Sequence, residues 1–493
     1  MHITKKILAS ILSVALSLTA FWGCGATNTE VNEPPNYSDS KKSFDFWAYH
    51  STYNGWYNGE LEDKTGISKE NETTLKAFKD AGFNILFISY AYALNGKDFK
   101  NSEAKQVMDI AYELGLKCMV FEQITHALSL KGDSLITGDK STADGVNTFA
   151  TQEDLNAYVK DVIKDIVAHP AFYGFSLRDE PSHMQITSIG QVYTAIQSVK
   201  KCFVNMNLLP MTLKGSNIYA ENGKNKTGAQ CYEEYLNTYK TKTGASWIQY
   251  DDYPLKPNLV RAAHIVNAKI TAEFCKKNNM RFCKAFQTCS YSVAGKEECR
   301  KPLKEDMYWQ LNIGMAFGVK TYSYWTYYPV VNPGGEKYDI TACFVTPKGE
   351  KNEMYYWMKD IHAEMQNTAR ALACFDYQGM NLIKTDNIMC NTAYLEQDFG
   401  EYDFEKTEKY EIKSGTGAVL ITELYDEGRE TYGYYVTNVT DPTLDSKMKV
   451  SLKFYDCDNA LIFNKGVETN VKANKQTLEL ELKKGEGVFV IPY

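Results

Sequence analysis

The sequence lacks the short motifs by which several enzyme classes are recognised. Its 493 residues include only seven histidines and no C-x-x-C or H-E-x-x-H pattern, which argues against a zinc site. It has no G-x-S-x-G elbow, no P-loop and no other Gly-rich phosphate loop. It also has no block of Lys and Arg, and its net charge of -7 argues against nucleic acid as the main partner. We therefore expect no metal, no cofactor and no nucleic-acid partner.

Aromatic residues, by contrast, are abundant. The chain has 35 Tyr, 23 Phe and 7 Trp, together 13% of its residues. Aromatic faces stack on the apolar faces of sugar rings, so this composition suits a carbohydrate site. A Tyr-rich core and barrel rim explains most of them more simply. Hydrophobic residues at 44% and charged residues at 23% are typical of a soluble globular protein.

The first 24 residues have the pattern of an export signal. Lys5 and Lys6 precede an apolar stretch over residues 7–22, which has the length of a secretory h-region. Residues 21–24, Phe-Trp-Gly-Cys, resemble the lipobox of bacterial lipoproteins, although Phe21 stands where Leu is usual. The resemblance implies that Cys24 is lipidated and becomes the new N-terminus, with an uncleaved membrane anchor as the alternative. We expect an extracytoplasmic protein anchored at the bacterial cell membrane or surface, with residues 25–43 as a flexible tether.

The remaining cysteines predict no particular disulfide. Setting Cys24 aside leaves eleven, an odd number, scattered between Cys118 and Cys457. Several lie inside predicted strands, where a cysteine packs as a small hydrophobic residue.

From residue 44 onward, short β-rich runs alternate with amphipathic helical stretches, which is the pattern of a parallel α/β fold. Eight strand-then-helix units in some 300 residues predict a (β/α)8 TIM barrel over residues 44–375. The predicted strands are residues 44–50, 83–89, 117–124, 172–177, 208–213, 247–250, 281–286 and 321–325. Residues 376–493 alternate apolar and polar positions between turns, which predicts a C-terminal all-β sandwich.

Polar and aromatic residues follow most of the predicted barrel strands. In such barrels the strand ends carry the working residues. Carboxylates from different strands that point into one mouth suit glycoside hydrolysis, where one protonates the leaving oxygen and another attacks or activates water. The candidates are His50, Tyr90, Glu122, Asp179, Glu180, Asp251, Tyr253, Gln287 and Trp325.

The fourth strand resembles that of clan A glycoside hydrolases. Residues 169–175, His-Pro-Ala-Phe-Tyr-Gly-Phe, run into Asp179-Glu180-Pro181, where those enzymes have an Asn-Glu-Pro that carries the general acid/base. Glu180 falls on that glutamate, and Asp179 departs from the Asn. The resemblance implies a general acid at Glu180, and it places Trp325 beneath the sugar at the point of cleavage.

Three further stretches are similar to a set of poorly characterised barrel lipoproteins related to clan A. They are residues 231–236, 250–255 and 309–320, and the resemblance covers about residues 44 to 330. The C-terminal sandwich is similar to the accessory domain that often follows such barrels.

One departure leaves the mechanism open. Clan A enzymes carry a nucleophilic glutamate at the end of the seventh strand, where this chain has Gln287. A carboxylate from another strand, Asp251 first and Glu122 second, could work with Glu180. Inversion would then require a separation of about 6.5–9.5 Å and retention about 5 Å. Alternatively, the substrate supplies its own nucleophile, such as an acetamido group, or the barrel binds sugar without cutting it.

The sequence thus predicts a surface-anchored glycoside hydrolase that acts on an oligo- or polysaccharide. Glu180, Asp251 and Glu122 are its candidate catalytic residues. We expect the sugar to contact the remaining strand-end residues, namely His50, Tyr90, Asp179, Tyr253, Gln287 and Trp325. The alternative is a non-catalytic carbohydrate-binding surface lipoprotein built on the same barrel, which the amide of Gln287 favours.

Overall fold

We analysed the protein as a computed structural model. The structure describes residues 33–52, 71–88, 94–139, 141, 147–211, 214–331, 338–384, 409–444 and 447–493. The predicted signal segment with Cys24 and the predicted site residue Tyr90 lie outside these residues. Within them, no helix combines the length and the apolar character that a membrane crossing requires.

Eight parallel strands form a nearly closed barrel, which confirms the predicted fold. In the sheet they follow the order β1-β8-β7-β6-β5-β4-β3-β2. The strands are β1 Asp45–Ala48, β2 Ile85–Ile88, β3 Lys117–Val120, β4 Phe172–Asp179, β5 Phe203–Leu208, β6 Trp247–Asp251, β7 Arg281–Gln287 and β8 Thr321–Trp325. Apolar side chains fill the barrel, among them Trp47, Phe87, Met119, Phe203 and Cys283, so the mouth above them has a solid floor.

Asn84 links β1 and β2, the two strands at the edges of the sheet, by hydrogen bonds. Its backbone N–H donates to the carbonyl of Phe46 (3.2 Å), and its side-chain oxygen accepts from the N–H of Phe46 (2.8 Å). Its amide nitrogen donates to the carbonyl of Phe44 (3.0 Å). Three hydrogen bonds from one residue therefore bridge β1 and the start of β2.

Nine α-helices occur in the described part of the chain, mostly on the outside of the barrel. They are α1 Glu72–Asp80, α2 Glu103–Glu113, α3 Gln123–Ser129, α4 Gln152–Val167, α5 Ile186–Val199, α6 Gly228–Thr243, α7 Ala263–Asn278, α8 Lys304–Ala316 and α9 Glu353–Leu372. Local signals explain where several begin. Thr151, for example, caps α4 by accepting from the N–H of Asp154 (3.2 Å), as an N-terminal Thr is expected to do.

The fifth predicted strand was placed wrongly. The prediction gave residues 208–213, whereas β5 occupies Phe203–Leu208 and the preceding helix already ends at Val199. The strand was missed because Asn205 and Asn207 interrupt its apolar run, although both are buried. It could not continue through Pro210, which has no N–H to donate.

The C-terminal residues form two antiparallel sheets, as predicted. A six-stranded sheet has the order β9-β11-β12-β17-β14-β15, and a three-stranded sheet has the order β10-β13-β16. Their strands are β9 Asp376–Lys384, β10 Tyr410–Thr416, β11 Ala418–Asp426, β12 Thr431–Asn438, β13 Lys447–Phe454, β14 Asn459–Asn464, β15 Val467–Lys472, β16 Thr477–Lys483 and β17 Gly487–Pro492. Val419, Val436, Val450 and Val490 are among the residues of the core between the sheets.

The predicted tether is packed against the protein over part of its length. Tyr37 is buried; its ring lies 5.8 Å from that of Phe375, and its hydroxyl donates to Asp426 (3.3 Å). Burial raises the pKa of the Tyr37 hydroxyl, and the Asp426 carboxylate raises it further. The prediction of a flexible tether up to residue 43 is therefore wrong for the segment around Tyr37, because an aromatic side chain holds it in place.

Short strands follow each of the last three barrel strands. Ser290–Val293, Lys296–Cys299, Val330–Val331 and Tyr338–Thr341 form a small four-stranded sheet. Leu255–Lys256 and Leu259–Val260 form a separate hairpin after β6. All of these segments follow the carboxyl ends of β6, β7 or β8, so they belong to the loops that surround the mouth.

Candidate active site

Glu180 lies directly after β4 in a strained backbone conformation. Its N–H donates to the carbonyl of Asn207 on β5 (2.8 Å), and its φ is 42°, in the left-handed region. A non-glycine residue adopts this region only when its surroundings hold it there, and such residues cluster at functional sites. The next carbonyl, that of Pro181, accepts from the hydroxyl of Tyr235 on α6 (2.5 Å), which fixes the turn from outside.

The side chain of Asp251 acts on Glu180 across the mouth, where a hydrogen bond from it lowers the pKa of Glu180. Asp251, at the end of β6, is only 6% exposed, and its Oδ2 accepts from the hydroxyl of Tyr253 (2.8 Å). Burial raises the pKa of Asp251 well above its usual range, and the nearby carboxylates of Glu180 and Asp179 add to this effect. Asp251 therefore keeps its proton at pH values where a free aspartic acid has lost it, and it donates to Glu180.

Burial also raises the pKa of Glu180, and the charge of Asp179 raises it further. The hydrogen bond from Asp251 opposes these two effects, because it stabilises the carboxylate form of Glu180. Glu180 retains contact with solvent at the mouth, so the group with the raised pKa is accessible to a ligand. A carboxyl group of this kind can both deliver a proton and remain stable as a carboxylate afterwards.

Asn207 joins the three carboxyl groups of the mouth. Its Nδ2 donates to Asp179 (2.9 Å), its side chain lowers the pKa of Asp251, and its backbone carbonyl accepts from the backbone N–H of Glu180 (2.8 Å). Asn207 is 1% exposed on β5, between the strands that carry the acids. It is the functional residue that sequence reasoning missed, because the misplaced fifth strand put the wrong residues at that strand end.

A pocket lined mainly by aromatic side chains lies beside Asp179. It encloses about 430 Å³, part of it open to solvent. Its walls are formed by Tyr49, His50, Phe87, Phe121, Ser176, Leu177, Arg178, Asp179 and Trp325. Trp325 packs edge-on against the rings of Tyr49 (5.3 Å) and His50 (5.2 Å), so the predicted site residues His50, Asp179 and Trp325 lie in one pocket.

His50 and Arg178 differ in their contribution to this pocket. Burial lowers the pKa of His50 to about 4, so the imidazole is neutral at neutral pH, and its φ of 47° is also left-handed. Neighbours on a regular strand point to opposite faces, which would place Arg178 on the other side of β4 from Asp179. The pairing of β4 with β5 shifts register between Ser176 and Arg178, and Arg178 lines the same pocket as Asp179.

Glu122 does not face the mouth as a free carboxylate, so its assignment as a catalytic candidate is wrong. Oε1 accepts from the N–H groups of Gly96 (3.0 Å) and Ile124 (3.1 Å), and Oε2 accepts from that of Thr125 (2.7 Å). The side chain is 1% exposed and caps α3. Three backbone donors occupy the carboxylate, which leaves it no role in attacking a sugar or a water.

The side-chain amide of Gln287 is also hydrogen-bonded to backbone groups, so its assignment to substrate binding is wrong. Its Oε1 accepts from the N–H of Leu255 (3.0 Å), and its Nε2 donates to the carbonyls of Cys289 (3.1 Å) and Arg300 (3.2 Å). It is 1% exposed. The amide at the end of β7 thus ties three loop segments together below the mouth.

Asp252, beside Asp251 in the chain, has a different environment. Its carboxylate contacts His264 (3.1 Å) and Arg261 (3.4 Å), and it is 2% exposed. Burial would raise the pKa of Asp252, but Arg261 and His264 outweigh that effect and hold it well below its usual range. Asp252 is therefore an ionised structural residue, whereas Asp251 holds a proton. Over the described ranges, no three His, Cys, Asp or Glu side chains are arranged to hold a metal ion.

The comparisons with known proteins show the fold. No protein-family model matches the sequence, and no curated protein matches it significantly. Among solved structures, the chain is similar to a catalytic mutant of a GH42 β-galactosidase from G. stearothermophilus, with 9% identity and a TM-score of 0.52 over 92% of this chain and 98% of that one. It also matches a family 39 glycoside hydrolase from Bacteroides cellulosilyticus WH2, with 10% identity and a TM-score of 0.44 over 92% and 81% of the two chains. A third match is an α-amylase from Geobacillus thermoleovorans, with 10% identity and a TM-score of 0.48 over 91% and 98%. The chain therefore has a TIM barrel followed by a β-sandwich, a fold that the first of these structures supports.

Proposed function

We propose that this protein is a glycoside hydrolase, with Glu180 as the general acid and the pocket beside Asp179 as the site of the sugar. The observation that carries the proposal is the position of Glu180 itself. Its carboxyl group is accessible to solvent at a strand end, and its backbone is held in a left-handed conformation. Burial and the charge of Asp179 raise the pKa of this carboxyl group, and the side chain of Asp251 opposes them. Perturbed acids of this kind in a concave mouth mark candidate catalytic sites.

The surroundings of Glu180 suit the acid half of glycoside cleavage. An O-glycosidic bond breaks when its leaving oxygen receives a proton, and the donor must then be stable as a carboxylate. The hydrogen bond from the protonated side chain of Asp251 stabilises that carboxylate. We infer that Asp251 is the partner of Glu180 in proton transfer, because each of the two carboxyl groups shifts the pKa of the other.

The aromatic pocket supplies contacts of the type that a sugar uses. Trp325 and Tyr49 offer ring surfaces, whereas Asp179 and His50 offer polar groups at the pocket wall. Ligand pockets generally combine mostly apolar walls with a few polar groups that orient the ligand. Tyr253 does not line this pocket, and its hydroxyl donates to Asp251 at the end of β6 (2.8 Å).

The direct test is hydrolysis of a panel of aryl glycosides and natural glycans by a soluble form that begins near Pro34, so that Tyr37 is retained. We expect cleavage by the wild type and a loss of at least about a hundredfold in Glu180→Gln, as for removal of a general acid. If glycans bind and quench tryptophan fluorescence but none is cleaved, the protein is a carbohydrate-binding protein. The assignment of Glu180 as an acid then fails.

We further propose that the protein is anchored outside the cytoplasm by a lipid on Cys24. The proposal rests on residues 5–24, with their basic start, apolar stretch and terminal cysteine. Metabolic labelling with a fatty-acid analogue in a bacterial host tests it. We expect label on the wild type and none on Cys24→Ala; equal labelling of both would contradict the proposal.

A further inference from the structure

Backbone groups occupy two side chains near the strand ends: Glu122, the second carboxylate that the sequence suggested as a partner of Glu180, and Gln287, which stands where clan A enzymes have their nucleophile. Glu122 receives three backbone N–H groups, and the amide of Gln287 is bound by three backbone groups. Asp251 is 6% exposed, its Oδ2 accepts from the hydroxyl of Tyr253 (2.8 Å), and burial raises its pKa, so it holds a proton instead of acting as a carboxylate. These three side chains therefore cannot act as a carboxylate that attacks the sugar from the face opposite Glu180.

Among the strand-end carboxylates that the sequence predicted, Asp179 remains, and it is placed to accept a hydrogen bond from a ligand. Asn207 holds its Oδ1 (2.9 Å), and the side chain still contacts solvent at the pocket. Burial raises the pKa of Asp179, and the hydrogen bond from Asn207 and the charge of Arg178 oppose this effect. Both opposing contacts favour the ionised carboxylate, which is the form that accepts an N–H.

The pocket beside Asp179 matches the chemistry of an acetamido group. Such a group has an N–H that needs an acceptor, a methyl group that prefers an apolar wall, and a carbonyl oxygen that is a nucleophile. Asp179 supplies the acceptor, and Phe87, Phe121 and Trp325 supply the wall. Because Asp179 and Glu180 are consecutive at the end of β4, a sugar that presents its glycosidic oxygen to Glu180 can present a neighbouring substituent to Asp179.

We propose that the substrate carries a 2-acetamido group on the sugar that is cleaved, and that this group is the nucleophile. The inference rests on the proposed function. The carboxyl group of Glu180 protonates the glycosidic oxygen, and the C1–O bond breaks with its electron pair going to that oxygen. The acetamido carbonyl oxygen forms a bond to C1 and gives a cyclic oxazolinium ion, whose N–H binds the carboxylate of Asp179.

The second half of the reaction restores the enzyme. The carboxylate of Glu180 removes a proton from a water molecule whose oxygen attacks C1, and the bond from C1 to the oxazolinium oxygen breaks. Its electron pair returns to the acetamido group, so one water is consumed and Glu180 is protonated again. Because the acetamido oxygen attacks from the face opposite the leaving group, the two groups must be trans. This requirement specifies β-linked 2-acetamido sugars of gluco or galacto configuration and predicts retention at C1.

The test compares matched substrates on the full chain, purified in a mild detergent. The substrates are 4-methylumbelliferyl β-glycosides with either a 2-acetamido or a 2-hydroxyl group, in both configurations. We expect the acetamido member of at least one pair to be cleaved at least about a hundredfold faster. Replacing its methyl hydrogens by fluorine makes the carbonyl less nucleophilic, so the rate should fall steadily from no fluorine to three.

Variants of Asp179 give a second readout. We expect Asp179→Asn to lower kcat on the acetamido substrate by at least about a hundredfold, because an amide cannot stabilise the positive ring, as expected for the loss of a transition-state electrostatic contact. Asp161→Asn, on the exposed face of α4, is the matched control and should retain activity, and circular dichroism verifies that both variants are folded.

Two results would overturn the inference and distinguish it from the proposed function. Efficient cleavage of 2-hydroxyl glycosides, with no effect of fluorine on the acetamido series, leaves a glycoside hydrolase whose nucleophile is not the substrate. Failure to cleave any glycoside in either series removes the proposed function as well.

Discussion

The charge of Glu180 raises the pKa of Asp251 across the mouth of the barrel, although the two residues lie at the ends of strands β4 and β6 with β5 between them. The two carboxyl groups therefore titrate as a pair. The intervening strand supplies Asn207, which contacts Asp251 and Asp179 and so holds the arrangement together.

The first prediction concerns the proton donor. Glu180→Gln should lower kcat/KM by at least about a hundredfold on a substrate with a poor leaving group. The loss should be smaller on an aryl glycoside with an acidic phenol, since that leaving group needs little protonation. Glu113→Gln, at an exposed position on α2, is the matched control and should behave as wild type. An equal loss on both kinds of substrate would argue that Glu180 has another role.

The second prediction concerns the pH dependence of activity. Glu180 must be protonated to act, so kcat/KM should fall as the pH rises through its raised pKa. Asp251→Leu removes the hydrogen bond that opposes this rise, so the alkaline limb should move to higher pH. Asp251→Asn can still donate to Glu180 and accept from Tyr253, so its alkaline limb should stay near that of the wild type. Identical profiles for the Leu and Asn variants would contradict the proposed contact.

The third prediction concerns stability. The pKa of Asp251 is raised above its ordinary value of 3.8, so the folded state retains a proton that the unfolded state releases. Stability therefore falls as the pH rises from about that value towards the folded pKa. Asp251→Asn abolishes this titration. Urea denaturation should show the variant gaining stability relative to the wild type as the pH rises above about 4; a difference that does not change with pH would be the contrary result.

The architecture could be predicted from the sequence because it depends on long-range repetition. Eight runs of buried strand residues, each followed by an amphipathic stretch, are enough to indicate a barrel, even with one strand misplaced. The misplaced strand shows what the local sequence pattern does not reveal. In β5 the interior positions hold Asn205 and Asn207, which the barrel can bury because Asn205 donates to Tyr49 (3.2 Å) and Asn207 to Asp179. Those partners lie far away in the chain, so the local pattern does not show them.

The residues of the site were predicted only in part, because the sequence does not show contacts between distant residues. The sequence shows which residues follow a strand, and on that basis Glu180, Asp251, Asp179 and Trp325 were named. It does not show whether a side chain is already hydrogen-bonded to backbone groups. We extended the third strand to residue 124, whereas β3 ends at Val120 and α3 begins at Gln123, which makes Glu122 a helix cap.

The fourth prediction concerns the residue that the sequence did not reveal. Asn207→Leu removes the donor to Asp179 and Asp251, so the pKa of each acid should rise further. We expect kcat to fall with little change in KM, because Asn207 is buried behind the acids and does not line the pocket. Asn207→Asp should shift the pH profile as well, because it adds a fourth carboxyl group. A change confined to KM would instead place Asn207 in substrate binding.

The fifth prediction separates a structural carboxylate from a catalytic one. Glu122→Ala leaves three backbone N–H groups without their acceptor and removes the cap of α3. The expected cost in the free energy of unfolding is about 1–3 kcal/mol. Glu153→Ala, which removes an exposed carboxylate from the first turn of α4, should cost less, about 0.3–1 kcal/mol. Both should retain the wild-type kcat and pH profile at temperatures where they are folded. A folded Glu122→Ala variant that loses activity by the same factor as Glu180→Gln would return Glu122 to the list of catalytic candidates, because a cap affects stability and not the reaction itself.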